Sequence, residues 1–298
     1  MALLAVGGAP LAAGCASGST EGQDAQIRSR VSAQATSVAA LYGSTVAPAF
    51  GGFRQHHLAH RAAMLSDIAA PLPSSSPGAA APVPVPGQLG PAGLAAAERA
   101  ALAANGPDLT AASGRLAGLL VNVAACRAMH CAALDAAGGS AADPAKLSAA
   151  EVEPAVVTPT PGDLAAAQAI LGAEHAAVYA YGALTPHLRG SQRDEAHDLY
   201  ELHRRLRDTL EAGIAAHGAT PAATVAAYAF PRQPDDPAGA VALASYVESR
   251  VAVVCANAAA VTTAAGRPYA AWAVTGACLR AYAWGAPITA FPATTAQA

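Results

Sequence analysis

ILGAEHAAVYAYGAL, residues 170–184, places a single carboxylate in the middle of an apolar helical stripe. Ala167, Ile170, Leu171, Val178 and Tyr181 recur at helical spacing, so Glu174 shares their face and points inward. Two later helices are interrupted in the same way. His203 shares a face with Ala196, Leu199, Leu206, Leu210 and Ile214, and Glu248 with Val241, Ala244, Val251 and Cys255. If the chain turns near 187–190, Glu174 and His203 fall about 13 residues to either side, roughly 20 Å down an antiparallel pair. The connection after His217 is long enough to run back along a helix and start the third one at the same end, which brings Glu248 to the same level. The expectation is an all-α fold with a four-helix bundle in the C-terminal half. Two acids and an imidazole meet in its core, and the fourth helix reaches their level near Tyr282 and Trp284.

The 298 residues suffice for two cores, and the chain divides accordingly. Residues 1–24 read as a signal and polar tether. Residues 25–137 read as an N-terminal helical region, either a second bundle or a helical accessory, with a Pro-rich insertion at 71–93. Residues 138–162 form a linker, and 163–292 the bundle. Asp24 is a candidate N-cap for the first helix, Asp163 for the first bundle helix, and Asp235 or Asp236 for the third. Aromatics make up only 5% and charges only 12% of the chain, so helix contacts are expected to be close and lined by alanine. The net charge of -3, with no run of Lys or Arg, excludes nucleic acid as a partner.

The opening MALLAVGGAPLAAGC (1–15) is apolar up to Cys15 and polar after it, and it resembles a bacterial lipoprotein signal. On that reading Cys15 carries the lipid and the membrane is a partner through it. The protein is then extracytoplasmic and anchored; the alternatives are a secreted or a cytoplasmic protein. Cys255 and Cys278 lie at nearly equal distances from the Gly266–Pro268 turn, so they can face each other as a disulfide or remain as two buried thiols. Cys126 and Cys131 lie about 140° apart on one helix and read as small core residues.

ILGAEHAAVYAYGAL, LHRRLRDTL (202–210) and YAWGAPITAFPA (282–293) together resemble a ferritin-like domain family of unknown function found in exported proteins and lipoproteins of high-GC bacteria. The resemblance runs from Ala165 to Pro292. RQHHLAHRAAMLSD (54–67) and AACRAMHCAAL (124–134) are similar to the region upstream of that domain in the same proteins. This implies a ferritin-like fold without an assigned activity.

The ligand set of a working di-iron bundle is incomplete in this chain. Tyr200 stands where a Glu-x-x-His pair wants its acid, Glu201 faces elsewhere, and the fourth helix has no Asp, Glu or His. Glu174, His203 and Glu248 can satisfy one another or an Arg as buried ion pairs, or hold one metal ion, with Fe, Mn and Zn as candidates. The favoured reading is a binding or structural envelope protein without a cofactor, taking an unknown protein or small-molecule ligand. The alternative is a metal-dependent oxidoreductase or storage protein. His56, His57 and His60 sit four or fewer residues apart, with Glu98 and His130 able to join them, but the neighbouring Arg54, Gln55 and Arg61 favour a solvated face.

Overall fold

The structure is a computed structural model that describes residues 16–43, 50–66, 89–139, 154–158 and 160–294. Among these residues the fold is all-α. The first half supplies α1 (Ala16–Leu41), α2 (Gly51–Leu65), α3 (Pro91–Ala104), the short α4 (Gly106–Ala111) and α5 (Gly114–Ala137). The second half supplies α6 (Pro161–Leu184), α7 (Gly190–Ala216), α8 (Pro237–Val261) and α9 (Arg267–Ala283), with a 3₁₀ turn at Thr185–His187 between the first two. Cys15, most of the Pro-rich insertion and most of the linker lie outside the described residues.

Local chemistry explains where the C-terminal helices begin. Pro161 opens α6, and Thr160 caps it by accepting the Asp163 N–H at 3.2 Å, so Thr160 rather than Asp163 is the N-cap. Asp163 is thereby free to accept the Thr263 N–H at 2.8 Å, which pins the α8–α9 turn against the start of α6. Asp236 caps α8 as expected, accepting from Gly239 N at 2.6 Å. α1 begins before Ala25, so Asp24 lies within the helix and caps nothing there. It accepts the Ser113 N–H at 2.8 Å instead and ties α1 to the start of α5. α3 starts at Pro91, inside the segment read as the Pro-rich insertion, because a proline is well suited to a first helical turn.

α6 packs against both α7 and α8, and α8 against α9. α5 closes this group by lying on α8 and α9, and its Val121, Ala125, Met129 and Ala132 share one apolar core with α6 to α9. The approach depends on small residues. A Cβ at Gly114 would stand 2.1 Å from the Ala260 carbonyl oxygen, and one at Gly118 would stand 3.0 Å from the Ala260 methyl. α5 also packs on α3, so one helix serves both halves.

Two polar clamps reinforce that junction. Arg267 Nη1 donates to the carbonyls of Thr110 at 3.0 Å and Ala112 at 2.6 Å, at the end of α4. Beyond α9, Ala293 N donates to Asn122 Oδ1 at 2.9 Å and His60 Nε2 donates to the Ala290 carbonyl at 2.7 Å, laying the closing segment across α5 and α2. Gly114–Ala137 and Pro237–Val261 are long and apolar enough to cross a membrane, yet most of each is buried inside this fold.

Candidate functional site

Glu174, His203 and Glu248 do meet, at the centre of the C-terminal helices. His203 is fully buried between the two acids, with Nδ1 2.6 Å from Glu174 Oε2 and Nε2 3.0 Å from Glu248 Oε1. The Tyr181 hydroxyl donates to the same Glu248 oxygen at 2.9 Å, and its ring stacks on His203 at 5.3 Å between centroids. Arg280 Nε donates to the other Glu248 oxygen at 2.9 Å. Burial by itself would lower the His203 pKa, but the charges of Glu248 and Glu174 outweigh it and hold the imidazole at about 9. Burial likewise works to raise Glu248, and Arg280 and His203 outweigh it, bringing the carboxyl down to about 2. The centre therefore contains two carboxylates against an imidazolium and a guanidinium, balanced and hydrogen-bonded.

Arg280 is the member that sequence reasoning missed. The expected neighbours also lie here, with Trp284 buried in the core of this half and Tyr282 packed against it. The signal was present, since Ala273, Ala277, Arg280 and Trp284 share one face of α9 and three of the four are small or apolar.

A second centre lies in the N-terminal half, where the histidines had been assigned to a solvated face. His57, His60, His130 and Glu98 are all fully buried, and only His56 is half-buried. The reason is tertiary: α1 packs along α2, and Glu98 of α3 and His130 of α5 reach its inner face, while Arg54 and Arg61 stay on the outer one. Glu98 Oε1 accepts three hydrogen bonds, from Tyr42 Oη at 2.8 Å, His57 Nε2 at 2.7 Å and His130 Nδ1 at 2.9 Å. Burial opposes its charge, but the hydrogen bonds from His130 and His57 hold the carboxyl well below the usual range. Burial lowers the imidazoles of His60, to about 3, and of His56, to about 4. His130 continues outward to His56, with Nε2 2.9 Å from His56 Nδ1 and 3.4 Å from the Cys126 sulfur.

The two centres repeat one constellation. In each, a tyrosine from the first helix or the residue just past it and a histidine from the second converge on Oε1 of a glutamate from the third, the histidine through Nε2. The tyrosine stacks on the histidine in both, with interplanar angles of 28° for Tyr42 and His57 and 25° for Tyr181 and His203. What differs is completion. In the N-terminal centre Glu98 Oε2, His57 Nδ1 and His60 Nδ1 have no partner among the described residues. Neither do Nε, Nη1 and Nη2 of the fully buried Arg127.

The spacing of His57, Glu98 and His130 could hold a metal ion, as could that of His56, Cys126 and His130; in each group the ligand atoms lie within 4.8 Å of one another. Glu174, His203 and Glu248 are arranged differently, because the imidazole separates the acids instead of converging with them on a common point. Cys255 and Cys278 are free, buried thiols, as are Cys126 and Cys131, and burial raises the thiol pKa of each.

No curated protein matches the chain. The crystal structure of a conserved hypothetical protein, rv2844, from Mycobacterium tuberculosis is similar, with 29% identity over 43% of this chain and 97% of that one and a TM-score of 0.40. Residues 166–296, which carry the Glu174, His203, Glu248 and Arg280 centre, match the model of a domain of unknown function (DUF4439).

Proposed function

We propose that the chain is an exported, lipid-anchored helical protein of the ferritin-like kind that acts by binding a protein or small molecule, and that its C-terminal centre is structural. One observation carries the reading: the groups a metal would need are already committed to each other. An imidazole that donates from both ring nitrogens has no lone pair left for an ion. Both Glu248 oxygens are engaged as well. A ferritin-like di-iron site needs a carboxylate and a histidine from its fourth helix, where this chain supplies Arg280. The residues present do not fit that metal pair, and an ion network that fixes the helix register fits them better.

The anchor rests on the apolar run ending at Cys15. Metabolic labelling with palmitate tests it: wild type should be labelled and Cys15→Ser should not, and an unlabelled wild type removes the anchor from the reading. Elemental analysis of untagged protein tests the rest. No Fe, Mn or Zn should be present in an amount that depends on Glu174 and His203. A metal-dependent role is the second reading, favoured by the spacing of His57, Glu98 and His130. Stoichiometric metal in wild type that disappears in Glu98→Gln would establish it over the first.

A further inference from the structure

Role for role, the N-terminal centre repeats the C-terminal one with one carboxylate fewer. His203 Nδ1 pairs with Glu174, whereas its counterpart, His57 Nδ1, has no partner among the described residues. Glu174 lies seven residues before Tyr181 on α6, and the residue seven before Tyr42 on α1 is Ala35. Seven residues are almost two full turns, so Glu174 and Tyr181 share a helix face, and Ala35 holds the matching position ahead of Tyr42, which directly follows the end of α1. Ala35 is fully buried. It stands six residues before the end of α1, and His57 six residues after the start of α2, which puts the two at one level of an antiparallel pair. Alanine differs from glutamate by the bulk of an acetate ion.

Arg127 is the second, independent observation. Its guanidinium is buried from water and makes no hydrogen bond among the described residues, yet an arginine cannot shed its proton to escape that situation. Arg127 stands three residues before His130 on α5, within one turn on the same side of the helix, so it borders this centre. An unpaired buried ion is strongly unfavourable, and an anion relieves it. A divalent cation on His57, Glu98 and His130 does the reverse, since it adds two positive charges to Arg127 against a single carboxylate.

We propose that the N-terminal centre binds a small carboxylate of the size of formate or acetate. The ligand takes the part that Glu174 takes in the other half. One of its oxygens pairs with His57 Nδ1, and the other offers the Arg127 guanidinium the hydrogen-bond acceptor it lacks among the described residues. A carboxylate with an imidazolium and a carboxylic acid with an imidazole give the same hydrogen bond, so one proton accompanies each ligand. The half-buried His56, next outward from His130, marks the side from which the ligand enters.

Thermal unfolding of the full chain tests the site, with sodium acetate exchanged for sodium chloride at constant ionic strength. Saturating acetate should raise the wild-type Tm by about 2–4 °C over chloride, the shift expected of a ligand that binds only the folded state. Arg127→Met should abolish the rise. Ala35→Glu supplies the carboxylate within the chain, so it should raise the Tm in chloride and leave the protein indifferent to acetate. Glu174→Ala opens the C-terminal centre in the same way, and acetate should restore part of the Tm it loses. A wild-type Tm indifferent to acetate overturns the proposal, and so does an Ala35→Glu chain less stable than wild type. A rise with Zn²⁺ that is lost in Glu98→Gln overturns it in favour of a metal. If Arg127→Met does not fold, line broadening of ¹³C-labelled acetate by wild type but not by Ala35→Glu gives the same answer. None of these outcomes bears on the lipid anchor or on the ion network of the C-terminal half.

Discussion

The two halves place tyrosine, histidine and glutamate in the same relation and then complete them differently. In the C-terminal half the remaining positions are filled by Glu174 and Arg280, and every charge has an opposite at hydrogen-bond distance. In the N-terminal half no second acid meets His57 Nδ1, and the buried Arg127 has no acceptor, among the described residues. A core histidine is thus neither a ligand nor a structural residue by its identity alone. The atoms that face its second nitrogen decide which it is.

The sharpest way to break this comparison is to neutralise the two arginines in turn. Arg280→Met strips Glu248 of its charge partner while leaving the acid buried, and should cost about 3–5 kcal/mol in denaturant unfolding. Arg127→Met removes a cation that has no hydrogen-bond partner among the described residues, and in chloride it should be neutral or stabilising. Equal losses from both would mean that the two centres are completed alike.

The pH dependence should separate the halves next. His203 has a raised pKa, so the stability it contributes is fully present below the unfolded value of 6.5 and is lost as pH climbs through about 9. His60 and His56 have lowered values, so their contribution is present above 6.5 and is lost as pH falls through about 4 and 3. The groups facing them are His57, His130, Glu98 and Arg127, and Glu98 stays ionised across this range. Hydrogen exchange resolved by segment should find α6 to α8 loosening first in alkali and α2 with α3 loosening first in acid. The same order at both ends of the scale would refute the assignment.

Tyr42→Phe and Tyr181→Phe should cost similar amounts, about 1.5–3 kcal/mol each, since each hydroxyl donates to the shared oxygen of a buried carboxylate. Matched losses by urea unfolding would sharpen the claim that the constellation is repeated, and a large disparity would weaken it. The smallest effect concerns a cap. Asp236→Ala should cost about 1 kcal/mol by leaving the Gly239 N–H without its capping acceptor, with both centres unchanged.

The C-terminal centre was legible because each of its acids and its histidine interrupts an apolar stripe that helical periodicity makes visible. Arg280 was harder to see, since arginine near the end of a helix ordinarily signals a solvated last turn. The N-terminal centre misled for a related reason. His57 and His60 are flanked by Arg54 and Arg61, so local composition reads as surface, although the inner face of the same helix packs on α1 and meets Glu98 and His130. α5 was assigned to the first half by sequence order, but Gly114 and Gly118 let it sit against α8 in the core of the second.

Periodicity and capping chemistry are properties of neighbouring residues, so the sequence alone determined that the chain is helical, where most helices begin, and which three polar groups of the second half point inward. Which partner each buried polar atom finds depends on side chains a hundred or more residues away in some cases, as Asp163 with Thr263 and His60 with Ala290 illustrate. Only the tertiary structure could decide that one Tyr–His–Glu centre is closed by its own residues and that the other has an imidazole nitrogen and a guanidinium unpaired among the described residues. Hydrogen bonds and ion pairs act over a few ångströms of space, and distance along the chain does not fix distance in the fold.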